Sequence, residues 1–227
     1  MNKLLLPVLA AIVASVTTFT AFGQEIKGDA KQGEKKNAMC IGCHGIVGYQ
    51  ASFPEIHKVP KISGQGAKFI VSSLNAYKKG ERKHPTMRGI ADSLSDQDMA
   101  DLAAYYEGSG AVAGAVVPAK AVDVAVKVAE PSKAEALLAK GACVTCHGDN
   151  FSKPQDPSYP KIAGQHSDYL FVALKAYKME NNPIVGRGNA IMGGMVKQFT
   201  NAELKEMANY IGSLPGELKI VPQSKFK

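Results

Sequence analysis

Cys40-Ile41-Gly42-Cys43-His44-Gly45 recurs about a hundred residues later as Cys143-Val144-Thr145-Cys146-His147-Gly148. On a helical turn, positions i, i+3 and i+4 share one face. Each C-x-x-C-H motif therefore presents two thiols and an imidazole together, the arrangement that attaches a c-type haem. Cys40 and Cys43, and in the second copy Cys143 and Cys146, would form thioethers with the two vinyl groups of one haem edge. His44 and His147 would each supply an axial nitrogen to iron. These are the only cysteines of the chain, so none is left for a disulfide elsewhere. A thioredoxin-like dithiol would need a βαβ context, and the sequence offers none. A single zinc shared by two C-x-x-C pairs is disfavoured by their separation and by the histidine after each pair. A short-loop disulfide in each pair suits an oxidising compartment, but two full C-x-x-C-H matches within one repeat favour haem over these readings.

The repeat extends well beyond the cysteines. Pro60-Lys61-Ile62-Ser63-Gly64-Gln65 returns as Pro160-Lys161-Ile162-Ala163-Gly164-Gln165, and Leu74-Asn75-Ala76-Tyr77-Lys78 as Leu174-Lys175-Ala176-Tyr177-Lys178. Leu94-Ser95 and its following helix match Phe199-Thr200 and theirs. The chain thus reads as two copies of one small domain, residues 24–107 and 132–227, joined by an Ala/Val/Gly linker over 108–131 with Pro118 and Pro131 as punctuation. The linker is apolar enough to be expected to lie against the domains, giving domain–domain contact within the chain.

Each half reads as helical, and no stretch sustains the alternation of a strand. In the first half the pattern predicts a helix from Asp29 running into Cys40, and a second over Ala67 to Tyr77. A third begins at Ser95, which forms a capping box with Asp98 and carries Met99, Leu102, Ala103 and Tyr106 on one face. Thr200 and Glu203 repeat the cap, and Leu204, Met207 and Ile211 repeat the stripe, which is read as core packing.

A six-coordinate haem iron needs a second axial ligand, Met or His in electron carriers. Met87 stands seven residues before Leu94, and Met192 stands seven before Phe199. Both are expected on glycine-containing loops after the second helix, and repeat equivalence selects them as ligands over a reading as flexible core filler. Met195 is a rival to Met192. His84 lies near Met87 and is an alternative there, but for it, as for His57 and His166, a hydrogen-bonded or solvated role is expected.

The first 23 residues have the form of a cleaved signal peptide: Lys3, an apolar run from Leu4 to Phe19, then Ala21-Phe22-Gly23. An uncleaved anchor is the alternative, but the run is short for a bilayer. No later stretch is apolar enough to span one, so the mature chain is expected outside the cytoplasm, soluble or at most peripheral to a membrane. The formal net charge is +7. The lysines are scattered and not interleaved with stacking aromatics, which argues against nucleic acid. Haem propionates would offset part of this charge, and a Lys-rich docking face for an acidic redox partner is a weaker reading.

The two C-x-x-C-H-G motifs, the two P-K-I-[SA]-G-Q segments, the run from Met87 to Asp98 and the run from Asp101 to Tyr106 resemble the dihaem cytochrome c4 family over nearly the whole mature chain. The resemblance implies an all-α fold of two tandem class I cytochrome c domains, each around one covalent haem c. It implies a periplasmic electron carrier that is not an enzyme, with a quinol-oxidising complex as donor and a terminal oxidase as acceptor. It further implies that the backbone carbonyls of Pro60 and Pro160 accept from the ring N–H of His44 and His147 and so orient each imidazole. The Ala/Val linker and the Gly193-Gly194-Met195 sequence depart from the family pattern. The alternative functions are an electron-accepting subunit of a periplasmic dehydrogenase using sulfur compounds, flavin or molybdenum, and a haem peroxidase, which would need an open iron.

Overall fold

In a computed structural model, the described residues are 26–110, 131–179 and 182–222. The expected signal peptide and most of the linker lie outside them. Within them the chain is helical, and its strands are four two-residue pieces.

The first half begins with α1 (Ala30–Lys36), capped by the Asp29 carboxylate, which accepts from the Lys31 and Gln32 N–H groups. The expected single helix from Asp29 to Cys40 is interrupted. Asn37 ends α1, and α2 (Ala38–His44) starts afresh, with the Asn37 carbonyl accepting from Cys40 and Ile41 N–H. The cysteines and histidine are thus carried on a separate short helix. After it come β1 (Gln50–Ala51) and β2 (His57–Lys58), paired antiparallel, then α3 (Ala67–Lys78). The half continues with β3 (Arg82–Lys83), α4 (Pro85–Asp92) and α5 (Asp96–Ser109). The Ser95–Asp98 capping box forms as expected, and α5 continues to Ser109, inside the stretch read as linker.

α1 crosses α5 at backbone contact. A Cβ on Gly28 or Gly33 would lie 2.1 Å from the Ala100 or Asp101 carbonyl oxygen respectively. The crossing is tied by Asp101, 2% exposed, whose carboxylate accepts from Asp29 N–H, Lys36 Nζ and Gln97 Nε2, each at 2.8 Å. A buried carboxylate is tolerated because its oxygens are satisfied in this way. Burial alone would raise its pKa, but Lys36, the Asp29 N–H and Gln97 outweigh that and hold it below the usual carboxylate range. Met99, Leu102, Ala103 and Tyr106 of α5 form the core with Ile70 and Leu94.

The second half repeats the plan with α6 (Pro131–Lys140), α7 (Val144–His147), α8 (Ser167–Lys178), β4 (Gly186–Arg187), α9 (Ala190–Lys197) and α10 (Asn201–Ser213). Its capping box, Thr200 with Glu203, is also formed. Leu204, Met207, Ala208 and Ile211 of α10 pack with Leu138, Leu170, Val196 and Phe199.

The two halves meet through an approximately two-fold arrangement. β3 pairs antiparallel with β4, placing Arg82 opposite Arg187. Lys58 N–H donates to Asp168 at 3.0 Å, Lys175 pairs with Glu55, and Lys219 N–H donates to the Ser63 carbonyl at 2.9 Å.

Candidate haem-binding sites

α2 and α7 place the two C-x-x-C-H motifs on helical turns, with all four cysteines half-buried and unpaired. Burial pushes the Cys40 and Cys143 thiols up from their ordinary pKa. That is opposite to the electropositive, thiolate-favouring setting a redox dithiol uses.

Each histidine is held by its inner ring nitrogen. His44 Nδ1 is 2.8 Å from the Pro60 carbonyl and His147 Nδ1 is 3.1 Å from that of Pro160. A carbonyl can only accept, so Nδ1 carries the proton in both rings and Nε2 keeps its lone pair. Burial lowers both pKa values, which favours the neutral, ligating imidazole.

Met87 and Met192 differ from the sequence expectation in local structure: both are helical. Each is the third residue of its helix, α4 or α9. His84 caps the first, with Met87 N–H donating to His84 Nδ1 at 3.4 Å, and Asn189 caps the second, with Met192 N–H donating to Asn189 Oδ1 at 2.9 Å. Pro85 at the first helical position needs no N–H partner, which suits it to a helix start. The glycines that suggested loops, Gly89, Gly193 and Gly194, sit inside these short helices. Cap position thus pairs Met192 with Met87. Met192 packs against the second-half core, as Cys143 does, whereas Met195 is 42% exposed. His84 stands edge-on to Phe53 and Tyr77 in its capping role.

Two further pairs escaped sequence reading. The Arg82 guanidinium lies over Phe69 and Tyr77, at 5.2 and 5.6 Å, and that of Arg187 lies over Tyr169 and Tyr177, both at 5.4 Å. These are cation–π distances. Among the described residues neither guanidinium has a carboxylate at ion-pair distance. The available signal was their equal spacing, each five residues before its methionine. The second pair is Gln65 and Gln165, each 4% exposed, which close the repeated P-K-I-[SA]-G-Q segment and bond across the domain interface. The preceding Gly64 and Gly164 have φ of +85° and +69°, the left-handed region that a Cβ disfavours.

Comparison with known proteins agrees with this architecture. The cytochrome c family model matches residues 30–108 and again 132–215. A cytochrome c4 of Azotobacter vinelandii is 30% identical over 225 residues, covering 94% of this chain and 100% of the relative. A thiosulfate dehydrogenase electron acceptor of Stutzerimonas stutzeri is 28% identical over 213 residues, covering 91% and 92%. The solved structure of reduced recombinant cytochrome c4 from Pseudomonas stutzeri superposes with a TM-score of 0.61 at 28% identity, covering 83% of this chain and 100% of that one. Two cytochrome c domains in tandem, two C-x-x-C-H motifs for covalent haem c and a full-length likeness together lead to one assignment: the chain belongs to the cytochrome c4 family of dihaem electron-transfer proteins.

Proposed function

We propose that this protein is a periplasmic one-electron carrier, exported by the leader over residues 1–23 and working as domains 24–107 and 132–227. Cys40 and Cys43 would hold one haem and Cys143 and Cys146 the other. His44 with Met87, and His147 with Met192, would supply the ligands to the two irons. The observation that carries this reading is the repetition, in both halves, of an Nδ1-anchored histidine and a methionine at the third position of a capped helix.

When bound, each haem supplies an iron that changes between Fe(III) and Fe(II) by one electron. The chain's own residues do the rest. The Pro60 and Pro160 carbonyls fix ring orientation and raise ligand basicity. Thioether ligation favours the reduced state and raises the potential. Arg82 and Arg187, with aromatic faces but no carboxylate at ion-pair distance among the described residues, suit the propionates that a haem brings. The proposed donor is a quinol-oxidising complex and the proposed acceptor a terminal oxidase. No catalytic acid or base is required.

The thiosulfate dehydrogenase electron acceptor among the relatives supports a second reading, in which the same two-haem chain takes electrons from a periplasmic dehydrogenase.

The test is pyridine-haemochrome and optical analysis of the protein matured with covalent haem. Two haems per chain, retained on denaturation, with a methionine–iron band at the red edge of the oxidised spectrum, are expected. No covalent haem, or a high-spin centre, refutes the assignment. Co-purification of a catalytic chain from the native host would favour the second reading.

A further inference from the structure

The repeated P-K-I-[SA]-G-Q segment builds a crossed hydrogen-bond link between the two halves. Pro60 C=O, which accepts from His44 Nδ1, belongs to the same peptide group as Lys61 N–H. That N–H donates at 2.9 Å to Gln165 Oε1 of the other domain, and Gln165 Nε2 returns a bond of 2.9 Å to the Lys61 carbonyl. In mirror fashion, Pro160 C=O accepts from His147 Nδ1, Lys161 N–H donates at 2.9 Å to Gln65 Oε1, and Gln65 Nε2 donates at 2.9 Å to the Lys161 carbonyl. Each Oε1 also accepts the next N–H of its own chain, Gly66 or His166, both at 3.0 Å. The amide orientation is therefore fixed: flipping either side chain would set its NH2 against two N–H donors.

We propose that Gln65 and Gln165 are positioning residues that act in crossed fashion, each tuning the proximal histidine of the opposite domain through one peptide group. This deepens the haem assignment given above and rests on it. A peptide whose N–H is donated becomes a better acceptor at its carbonyl, because bonds in a chain polarise one another. Gln165 thus strengthens the His44–Pro60 bond, and Gln65 strengthens the His147–Pro160 bond. A more strongly held Nδ1–H makes the imidazole a more basic ligand, which favours the oxidised state. The linkage also ties the orientation of the two domains to the electronics of both sites. Domain separation would release both peptides at once.

The test is a redox titration of the haem-loaded Gln165→Leu and Gln65→Leu proteins. The two centres are followed separately by the shifted proton resonances of their ligand methyl groups. The readout is the difference between the two potentials. Gln165→Leu is expected to favour reduction of the N-terminal centre by about threefold, about 28 mV at 59 mV per tenfold for one electron, and to leave the C-terminal centre in place. Gln65→Leu is expected to do the reverse. Gln165→Glu keeps the oxygen that accepts Lys61 N–H, and should return the difference to the wild-type value or beyond it in the opposite sense; it also serves if the leucine variant does not fold. Lys175→Met breaks an interface ion pair without touching either peptide and should leave the difference unchanged.

Movement of the same-domain centre, equal movement of both, or an effect of Lys175→Met equal to that of Gln165→Leu would each overturn the proposal. Absence of covalent haem in the wild-type protein would overturn the haem assignment itself, a separate observation. Amide exchange at Lys61, expected to speed up in Gln165→Leu, reports the link without reference to the haems.

Discussion

Replacing Gly33 with alanine tests how closely the first helix approaches the last helix of its domain. The added Cβ would lie 2.1 Å from the Asp101 carbonyl oxygen and 2.8 Å from Tyr105 Cβ. The first obstacle is backbone and cannot rotate away. To reach an ordinary contact, α1 must retreat by about 1 Å, which is more than close-packed interiors absorb without cost. Such overpacking costs about 1–3 kcal/mol. The same retreat stretches the 2.8 Å bond from Asp29 N–H to the buried Asp101 carboxylate. Loss of a hydrogen bond to a charged group costs about 1.5–3 kcal/mol. Alanine returns about 1 kcal/mol of helix propensity over glycine. The two losses share one movement and do not simply add, so a net destabilisation of about 3 kcal/mol is expected. The second domain supplies the contrast. Ala134 of α6 is wholly buried and α6 packs on α10, so the first helix of that domain already buries a methyl. The assay is denaturant unfolding of the haem-loaded protein, followed by far-ultraviolet circular dichroism and haem absorbance. Gly33→Ala should move the first domain's transition and leave the second domain's in place. A change within about 0.5 kcal/mol, the range of a neutral surface substitution, would refute the close crossing.

Two other outcomes are expected. Met192→Ala should remove about half of the red-edge methionine–iron absorbance, and Met195→Ala should leave it intact; the reverse pattern would transfer the ligand role to Met195. His166 should produce an acid limb in stability. Burial, reinforced by Lys61 and Lys58 across the interface, lowers its pKa from 6.5 to about 4. The unfolded chain therefore binds more protons than the folded one between those values, and stability falls as pH drops through that window. The loss is about 1–2 kcal/mol once the partial exposure of the ring is allowed for. His166→Gln should flatten this limb in urea titrations at pH 4 and pH 7, and an unchanged slope would show that other groups produce it.

Local chemistry made much of the chain legible. The helix starts at Ser95 and Thr200 could be read because a capping box is completed within four residues. The core stripe Met99, Leu102, Ala103, Tyr106 could be read because helical periodicity selects one face. The break at Asn37 could not, since a polar residue in a helical pattern gives no sign that its carbonyl will serve a second helix. The methionine segments read as loops in the sequence because their glycines weigh against helix, whereas in the structure the caps at His84 and Asn189 and the packing of each segment on its neighbour outweigh that preference.

The covalent chemistry of this protein was determined by sequence alone. Two C-x-x-C-H motifs in equivalent positions need only a helical turn to bring thiols and imidazole together, and the repeat announces two domains without any knowledge of their packing. Tertiary structure alone decided how those domains address each other. The pairing of Arg82 with Arg187, and of Gln65 with the Lys161 peptide, joins residues about a hundred positions apart. No local pattern encodes such contacts. They arise because two similar surfaces meet about an approximate two-fold axis, where a residue satisfied by its partner in one domain is satisfied by its counterpart in the other.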